Sequence, residues 1–98
     1  MKLQDLLYKV NILKLIGSTN IEISDVQFDS RKIQKKGLFI AIKGTISDGH
    51  QYIQNTIKEG VIAIIVEQLP SQLNDNITYV QVANSYNALG VIAANFYY

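Results

Sequence analysis

Two unbroken apolar runs constrain the fold of this chain more than any other feature of its sequence. Residues 38–42 read Leu-Phe-Ile-Ala-Ile, and residues 61–66 are also continuously apolar. Runs without alternation are typical of strands that are covered on both faces. The segment between them has apolar side chains at the spacing of one helix face, at Tyr52, Ile53, Thr56 and Ile57, and ends at Gly60. This order predicts a parallel, right-handed β-α-β unit over residues 38–66.

The remaining segments add elements around this unit. Helical spacing at Leu3, Leu6, Leu7 and Val10 predicts a short first helix. Residues 21–28 and 78–82 have the texture of strands, the first with a break at Ser24-Asp25 and the second with alternating polarity. Asn84 or Ser85 is suited to cap a last helix, whose predicted buried face is Ala88, Leu89, Ile92, Ala93 and Phe96. The predicted fold class is α/β, a small mixed, partly parallel sheet with packed helices.

Length and composition favour one domain over residues 1–98. The chain is long enough for a single hydrophobic core. Its formal net charge of +1 provides no field to attract nucleic acid or an anionic membrane. The longest apolar run is far shorter than the roughly 20 residues of a membrane-spanning helix. Because cysteine is absent, disulfides and thiolate chemistry are excluded, which fits a cytoplasmic location. We therefore predict no nucleic-acid or membrane partner.

Short polar segments follow two of the predicted strands. Asp29-Ser30-Arg31 follows the strand near residue 28, and residues 44–50, Gly-Thr-Ile-Ser-Asp-Gly-His, follow the run at 38–42. In α/β sheets, ligands bind beyond the carboxyl ends of the strands. The hydroxyls of Ser30, Thr45 and Ser47 can both donate and accept, as a nucleobase edge or a phosphate oxygen requires. Two glycines, Gly44 and Gly49, allow a positive φ and close backbone approach.

Charges near these segments have both functional and plain interpretations. Arg31, Lys43 and the start of the helix after Asp48 could each favour a phosphate. Asp48 and Gln51 also have the spacing of a capping box. The plainer alternatives are that Asp29 and Ser30 form a turn, Asp48 caps a helix, and Arg31 and Lys43 are solvated charges. From residue chemistry alone, the sequence indicates a small α/β domain with a possible site for an anionic ligand.

The sequence offers little for catalysis. It contains neither a G-x-x-x-x-G-K-[ST] phosphate loop nor a G-x-G-x-x-G fingerprint. His50 is the only histidine, and no G-x-S-x-G elbow presents a serine to it. A lone histidine in a Gly/Asp loop is more often a surface or loop-fixing residue than a catalytic base. We predict no catalytic residue and no metal site in this chain.

Taken in order, the motifs resemble the amino-terminal domain of the Mur ligase family. They are Phe28-Asp29-Ser30-Arg31, then residues 37–45, then residues 47–53, with further matching stretches from Gly60 to Tyr97. Within the family the MurE-type branch is the most similar. The resemblance implies that Phe28, Ser30, Thr45, Ile46 and Ser47 contact the uridine end of UDP-N-acetylmuramoyl-L-alanyl-D-glutamate, a small-molecule UDP-sugar-peptide.

The resemblance also implies a longer polypeptide. A central domain would bind ATP and Mg²⁺, and a carboxyl-terminal domain would bring meso-diaminopimelate or lysine for ATP-dependent amide ligation in peptidoglycan synthesis. This chain has Lys35-Lys36-Gly37 where the family usually has Pro-Gly-Asp, and it lacks the family's G-T-N-G-K-T segment. By itself it is therefore predicted to be inactive and to hold no cofactor. The alternatives are a MurF-type ligase, which adds D-alanyl-D-alanine, and a non-catalytic regulatory or interaction module.

Overall fold

The computed structural model describes residues 1–44 and 47–98, and a five-stranded mixed sheet lies at its centre. The strands are β1 (Lys14–Ile16), β2 (Val26–Gln27), β3 (Leu38–Ile40), β4 (Ala63–Val66) and β5 (Thr78–Gln81). The α-helices are α1 (Leu3–Leu6), α2 (Ile53–Lys58) and α3 (Ser85–Tyr97), and two 3-10 helices span Ser30–Lys32 and Gly49–Tyr52. The strand order is β1-β5-β4-β3-β2, with β1 antiparallel to β5 and the other pairs parallel. The predicted mixed α/β class is confirmed.

Strands β3 and β4 form the buried centre of this sheet. Every residue of both strands is fully buried, as their unbroken apolar runs predicted. The two strands pair in parallel, and α2 connects them in the sequence. Alternate side chains enter two separate clusters, one under α1 and α3 and the other under α2. The first cluster includes Leu3, Leu6, Leu38, Ile40, Ile65 and Ile92, and the second includes Phe39, Ile53, Ile64, Val66 and Tyr79. Each such side chain stabilises the fold by about 1.5–3 kcal/mol.

Two strand predictions differ from the structure. Of residues 21–28, only Val26–Gln27 forms a strand, because the Ser24 N–H donates to the Lys36 carbonyl and breaks the segment at the predicted place. Residues 78–80 alternate in polarity but are all buried. The Thr78 hydroxyl is satisfied by the Ser18 carbonyl at 2.7 Å, and the Tyr79 hydroxyl accepts the Asn74 N–H at 3.0 Å. Polar side chains can be buried when their atoms have hydrogen-bond partners. The alternating polarity of β5 therefore did not predict that Thr78, Tyr79 and Val80 are all buried.

The start of α3 follows its predicted chemistry. Asn84 is the N-cap residue, and its side-chain oxygen accepts the Asn87 N–H at 3.0 Å. The helix buries Ala88 and Ile92, while Leu89 and Phe96 pack against the first cluster from its margin. Within the described ranges, no helix has the length and apolar character needed to cross a membrane.

Candidate functional site

The two predicted polar segments meet at one edge of the sheet. Because β2 and β3 are adjacent and parallel, the loops that follow them leave from the same edge. Between these loops lies a groove of about 500 Å³, which we call the strand-end groove. Its lining residues are Phe28, Asp29, Ser30, Arg31, Ile42, Gly44, Ser47, Gly49 and Tyr52. The sequence therefore located this concavity correctly, although its ligand remains a prediction.

Three of the five predicted contact residues line the strand-end groove. Phe28 leaves 58% of its surface exposed, and an aromatic side chain so placed gives the groove an apolar wall. Within residues 1–44 and 47–98, the hydroxyls of Ser30 and Ser47 have no hydrogen-bond partner, so both can bind a polar edge. The other two predicted contacts, Thr45 and Ile46, lie outside the described residues.

Tyr52 belongs to the groove, although its sequence spacing suggested a buried helix face. It is 38% exposed and precedes the first residue of α2, whereas Ile53 and Thr56 on the helix itself are buried. The 3-10 helix before α2 has a different residue period, so the helical face does not extend back to position 52. A change of helix type inside one apolar pattern leaves no clear mark in the sequence.

The turn at residues 29–32 is held by one carboxylate. Asp29 caps the first 3-10 helix by accepting the Arg31 N–H at 3.0 Å. The Arg31 side chain returns to the same carboxylate, donating from Nε at 3.0 Å and from Nη2 at 2.9 Å. These hydrogen bonds, chiefly the side-chain one, lower the pKa of Asp29 to about 2. The Arg31 side chain is 86% exposed, so a guanidinium partly neutralised by Asp29 lies at the groove mouth.

The turn at residues 48–52 repeats this arrangement with different partners. Asp48 caps the second 3-10 helix by accepting the His50 N–H at 3.0 Å, and His50 Nδ1 lies 2.6 Å from the same oxygen. The cap is therefore confirmed, but the bonded N–H belongs to His50, so the capping box predicted with Gln51 is wrong. The backbone hydrogen bond from His50 is the main cause that lowers the pKa of Asp48.

Gly49 is required by close packing. Its N–H donates to the Ile42 carbonyl at 2.7 Å, and a Cβ built on it would lie only 2.8 Å from the Ile42 nitrogen. Neither Gly44 nor Gly49 has a positive φ. Of the two freedoms that glycine allows, the structure uses close backbone approach at Gly49 and a positive φ at neither position.

The backbone N–H groups at the start of the second 3-10 helix already have partners, so they are not free to bind a phosphate. The N–H of Gly49 donates to Ile42, the N–H of His50 to the Asp48 carboxylate, and the N–H of Gln51 to the Asp48 carbonyl. The carboxylate of Asp48 thus occupies the position that a bound anion would take. Among the described lining residues, Arg31 and the hydroxyls of Ser30 and Ser47 remain as donors for an anionic group in the groove.

His50 fixes a loop, which is the plainer of the two interpretations of its sequence. Its Nε2 accepts the backbone N–H of Glu67 at 2.9 Å and that of Gln68 at 3.3 Å, just beyond the end of β4. With Nδ1 on Asp48, both ring nitrogens are engaged, so the imidazole is not placed to act as a general base. In the described part of the chain, no group of three or more His, Cys, Asp or Glu residues is placed to hold a metal ion.

Glu67 is an organising residue that sequence analysis missed. Its Oε2 accepts the Ser85 N–H at 2.8 Å and the Ser85 hydroxyl at 2.9 Å, at the first turn of α3. The backbone hydrogen bond from Ser85 is the main cause that lowers the pKa of Glu67. The carbonyl of Glu67 also accepts from the Gln81 side chain. These partners are distant in sequence, and only the acidic residue directly after an apolar run could have suggested them.

A larger hollow of about 770 Å³ lies at a different place on the surface. It is lined by Ser24, Asp25, Ile33, Gln34, Lys35 and Glu59. Two carboxyl groups against a single lysine disfavour an anion there, and the lining contains no aromatic side chain. The strand-end groove, with its aromatic residues, hydroxyls and guanidinium, is the better ligand site by its chemistry.

Comparison with known sequences gives a consistent set of similarities. The family described as "Mur ligase family, catalytic domain" matches residues 22–97. A Cytophaga hutchinsonii protein named UDP-N-acetylmuramoyl-L-alanyl-D-glutamate–2,6-diaminopimelate ligase is 42% identical over 98 residues. Proteins of the same name from Bacteroides fragilis and Clostridioides difficile are 42% and 41% identical over 97 residues. In each case 99% of this chain is covered, and it spans about 20% of the relative's length.

Solved structures share the fold. A crystal structure of MurF from Acinetobacter baumannii superposes with a TM-score of 0.80 at 25% identity, covering 96% of this chain and 20% of that one. MurF ligase from Thermotoga maritima, solved in complex with ADP, superposes with a TM-score of 0.61 at 28% identity, covering 70% of this chain and 16% of that one. Both are ligases several times longer than these 98 residues.

Proposed function

Because the chain belongs to the Mur ligase family, we propose that its strand-end groove binds the UDP end of UDP-N-acetylmuramoyl-L-alanyl-D-glutamate. The observation that carries this proposal is the composition of the groove. Exposed Phe28 lines the groove together with Ser30 and Ser47, whose hydroxyls have no hydrogen-bond partner among residues 1–44 and 47–98, on the loops after two adjacent parallel strands. Thr45 and Ile46 are included on the strength of the sequence resemblance alone.

Each part of the nucleotide has a matching chemistry in the groove. The uracil ring is flat and apolar on its faces, which suits Phe28 and Tyr52. Its amide edge and the ribose hydroxyls suit serine hydroxyls, which both donate and accept. Arg31 supplies the positive charge for the diphosphate, and Asp29 keeps the guanidinium at the groove mouth.

The same proposal gives the chain its place in a larger enzyme. We assign it as the amino-terminal domain of a cytoplasmic ligase, whose other domains bind ATP and Mg²⁺ and join a diamino acid to the substrate. The phosphate loop that ATP requires is not in this sequence, so no chemical step is assigned to these residues. Their role is to hold the remote end of the substrate, so that binding energy there positions the reacting carboxyl group.

The structural neighbours favour a second candidate, a ligase of the MurF type. They superpose closely, but at 25% and 28% identity they are less similar in sequence than the 42% identical relatives named for diaminopimelate. We therefore prefer the MurE-type function. A ligase assay on the complete polypeptide, offering diaminopimelate, lysine and D-alanyl-D-alanine in turn, separates the two. Turnover only with D-alanyl-D-alanine would replace our preference, and turnover with none of them would favour a non-catalytic module.

The groove assignment is tested by titrating the 98-residue chain with UDP-N-acetylmuramoyl-L-alanyl-D-glutamate and following backbone amide shifts. We expect the largest changes at Ser30 and Ser47. Phe28→Ala should weaken binding about tenfold, because stacking of a base on an aromatic side chain contributes about 1–3 kcal/mol. Tyr86→Ala is the matched control, since Tyr86 is an exposed aromatic residue on α3 that does not line the groove. No shift at the groove at millimolar ligand, or equal losses in both variants, would reject the assignment.

A further inference from the structure

We infer that His50 is a positioning residue, which holds one rim of the strand-end groove in its binding shape only while its imidazole is neutral. This inference rests on the proposed function and deepens it. The rim in question contains Ser47 and Gly49, which line the groove on either side of the capping residue Asp48. His50 does not line the groove, so it acts through these neighbours.

The hydrogen bonds of the ring determine its protonation state. Nε2 receives two backbone N–H groups, from Glu67 and Gln68, so this nitrogen must carry a lone pair. Nδ1 therefore carries the single proton and donates it to the Asp48 carboxylate at 2.6 Å. Only 14% of the side chain is exposed, so water cannot easily replace these partners. The geometry fits one tautomer of the neutral ring.

Through His50 the groove rim is fastened to the end of β4 and, by way of Glu67, to the start of α3. The two N–H donors belong to the residues directly after β4, and the side chain of one of them, Glu67, accepts the N–H of Ser85, the first residue of α3. Hydrogen bonds thus connect Asp48 to His50, His50 to the backbone N–H of Glu67, and the Glu67 carboxylate to Ser85. Among the described residues, His50 is the side-chain link between the 48–52 turn and the end of β4.

Protonation of Nε2 would reverse this attachment. It would remove the acceptor for both N–H groups and point a third N–H at them. The carboxylates of Asp48, on the ring's own turn, and Glu67, after β4, interact electrostatically with His50 and with Lys43, and Glu67 also accepts from the uncharged Ser85 of α3 and Gln81 of β5. The carboxylates would attract an imidazolium, but Nδ1 already faces Asp48, so they do not restore the lost contacts to the backbone N–H groups.

The test uses the 98-residue chain and UDP-N-acetylmuramoyl-L-alanyl-D-glutamate, whose diphosphate is a diester and keeps its charge across the range used. For the unmodified chain, Kd should rise about tenfold between about pH 8 and about pH 5.5, because a protonated Nε2 can no longer accept the two backbone N–H groups. His50→Gln presents a carboxamide oxygen to the same N–H groups and does not titrate. It should bind within about threefold of the unmodified chain at the higher pH and lose the pH dependence. His50→Ala should bind weakly at both values.

The outcomes separate this inference from the proposed function. If His50→Gln keeps the pH dependence of the unmodified chain, or if the unmodified chain shows none, the inference is overturned. If the unmodified chain does not bind at all, the proposed function fails. The attachment is then decided without ligand, by the amide shifts of Ser47, Glu67 and Gln68 against pH. A common titration that disappears in His50→Gln supports the attachment, and independent or absent titrations contradict it.

Discussion

The two turns that border the strand-end groove have the same local structure and different connections. Asp29 and Asp48 have similar backbone angles, φ −102° and ψ 113° against φ −111° and ψ 120°, and each accepts the N–H two residues later at 3.0 Å. Each carboxylate also binds the basic side chain of that residue. The Arg31 side chain, however, is exposed to solvent, whereas the His50 side chain also accepts a backbone N–H directly after β4. The same turn therefore presents a charge in one loop and fastens the other loop to the sheet.

Substitution of the residue directly after each capping aspartate, Ser30 or Gly49, should give the largest difference in the free energy of unfolding. Ser30 carries a Cβ, whereas a Cβ on Gly49 would lie 2.8 Å from the Ile42 backbone nitrogen. Backbone must move to accept it, so Gly49→Ala should lower the free energy of unfolding by about 1–3 kcal/mol, the usual cost of overpacking. Ser30→Ala should leave that free energy nearly unchanged. Urea denaturation of the two variants measures the contrast.

Gly90 is the control for the substitution itself. A Cβ there meets nothing within 4 Å, and the residue is exposed in the middle of α3. Gly90→Ala should therefore stabilise the chain by about 0.5–1 kcal/mol through helix propensity. If Gly49→Ala were as stable as Gly90→Ala, the contact with Ile42 would not be the reason for glycine at position 49.

Substitution of the two capping aspartates should also destabilise the second turn more than the first, by a smaller amount than substitution of Gly49. Asp48→Ala removes a cap, for which about 1 kcal/mol is typical, and also leaves His50 Nδ1 without its acceptor. Asp29→Ala removes an equivalent cap, but its side-chain partner is already in solvent, so the loss should be smaller. Thermal unfolding at neutral pH compares them.

Asp48→Asn provides the check on mechanism. Asparagine is also a good N-cap residue, and its side-chain oxygen can still accept from both His50 groups. It should therefore recover most of the stability lost in Asp48→Ala. Equal losses from Asp48→Ala and Asp29→Ala would contradict the view that only the second turn is fastened to the sheet.

Features decided by near neighbours were predictable from the sequence. The unbroken runs at 38–42 and 61–66 predicted buried parallel strands, because no alternation marks a solvent face. The caps at Asp48 and Asn84 were also predicted, since a cap depends on residues two or three positions away. In the groove, the order of the motifs brought Phe28, Ser30 and Ser47 together correctly.

Features that depend on distant partners were not predictable. The contacts of His50 with Glu67 and of Glu67 with Ser85 join residues 17 and 18 positions apart, and no local pattern marks them. Tyr52 was assigned to a helix face because it has helical spacing to the apolar residues of α2, but it lies in the 3-10 helix before α2. Of the two interpretations of the helix start, the structure supports the cap, because the Asp48 carboxylate accepts the His50 N–H that a phosphate would otherwise use. The Asp48 carboxylate and a bound phosphate cannot both accept the same N–H groups.

The smallest expected effect is a difference in what lowers the pKa of the two capping aspartates. The side-chain hydrogen bond from Arg31 is the main cause of the lowered pKa of Asp29, whereas a backbone hydrogen bond is the main cause at Asp48. Arg31→Gln should therefore raise the pKa of Asp29 from about 2 toward its ordinary value. His50→Gln should leave the pKa of Asp48 largely lowered. Carboxyl carbon shifts followed by NMR through acid pH measure both.

The accompanying change in stability has a defined sign. A carboxyl group whose pKa is lowered on folding stabilises the fold above its unfolded pKa, and this contribution is lost as the pH falls through the folded value, for Asp29 about 2. Arg31→Gln should therefore narrow the pH range over which ionised Asp29 stabilises the fold. The unfolding temperature at neutral pH should change little because the Arg31 side chain is exposed. Lys32→Gln is the matched control, since Lys32 contributes least to the Asp29 shift. If Lys32→Gln raised the pKa of Asp29 as much as Arg31→Gln, the effect would be general charge rather than the paired guanidinium, and the first turn would differ from the second only in its exposure.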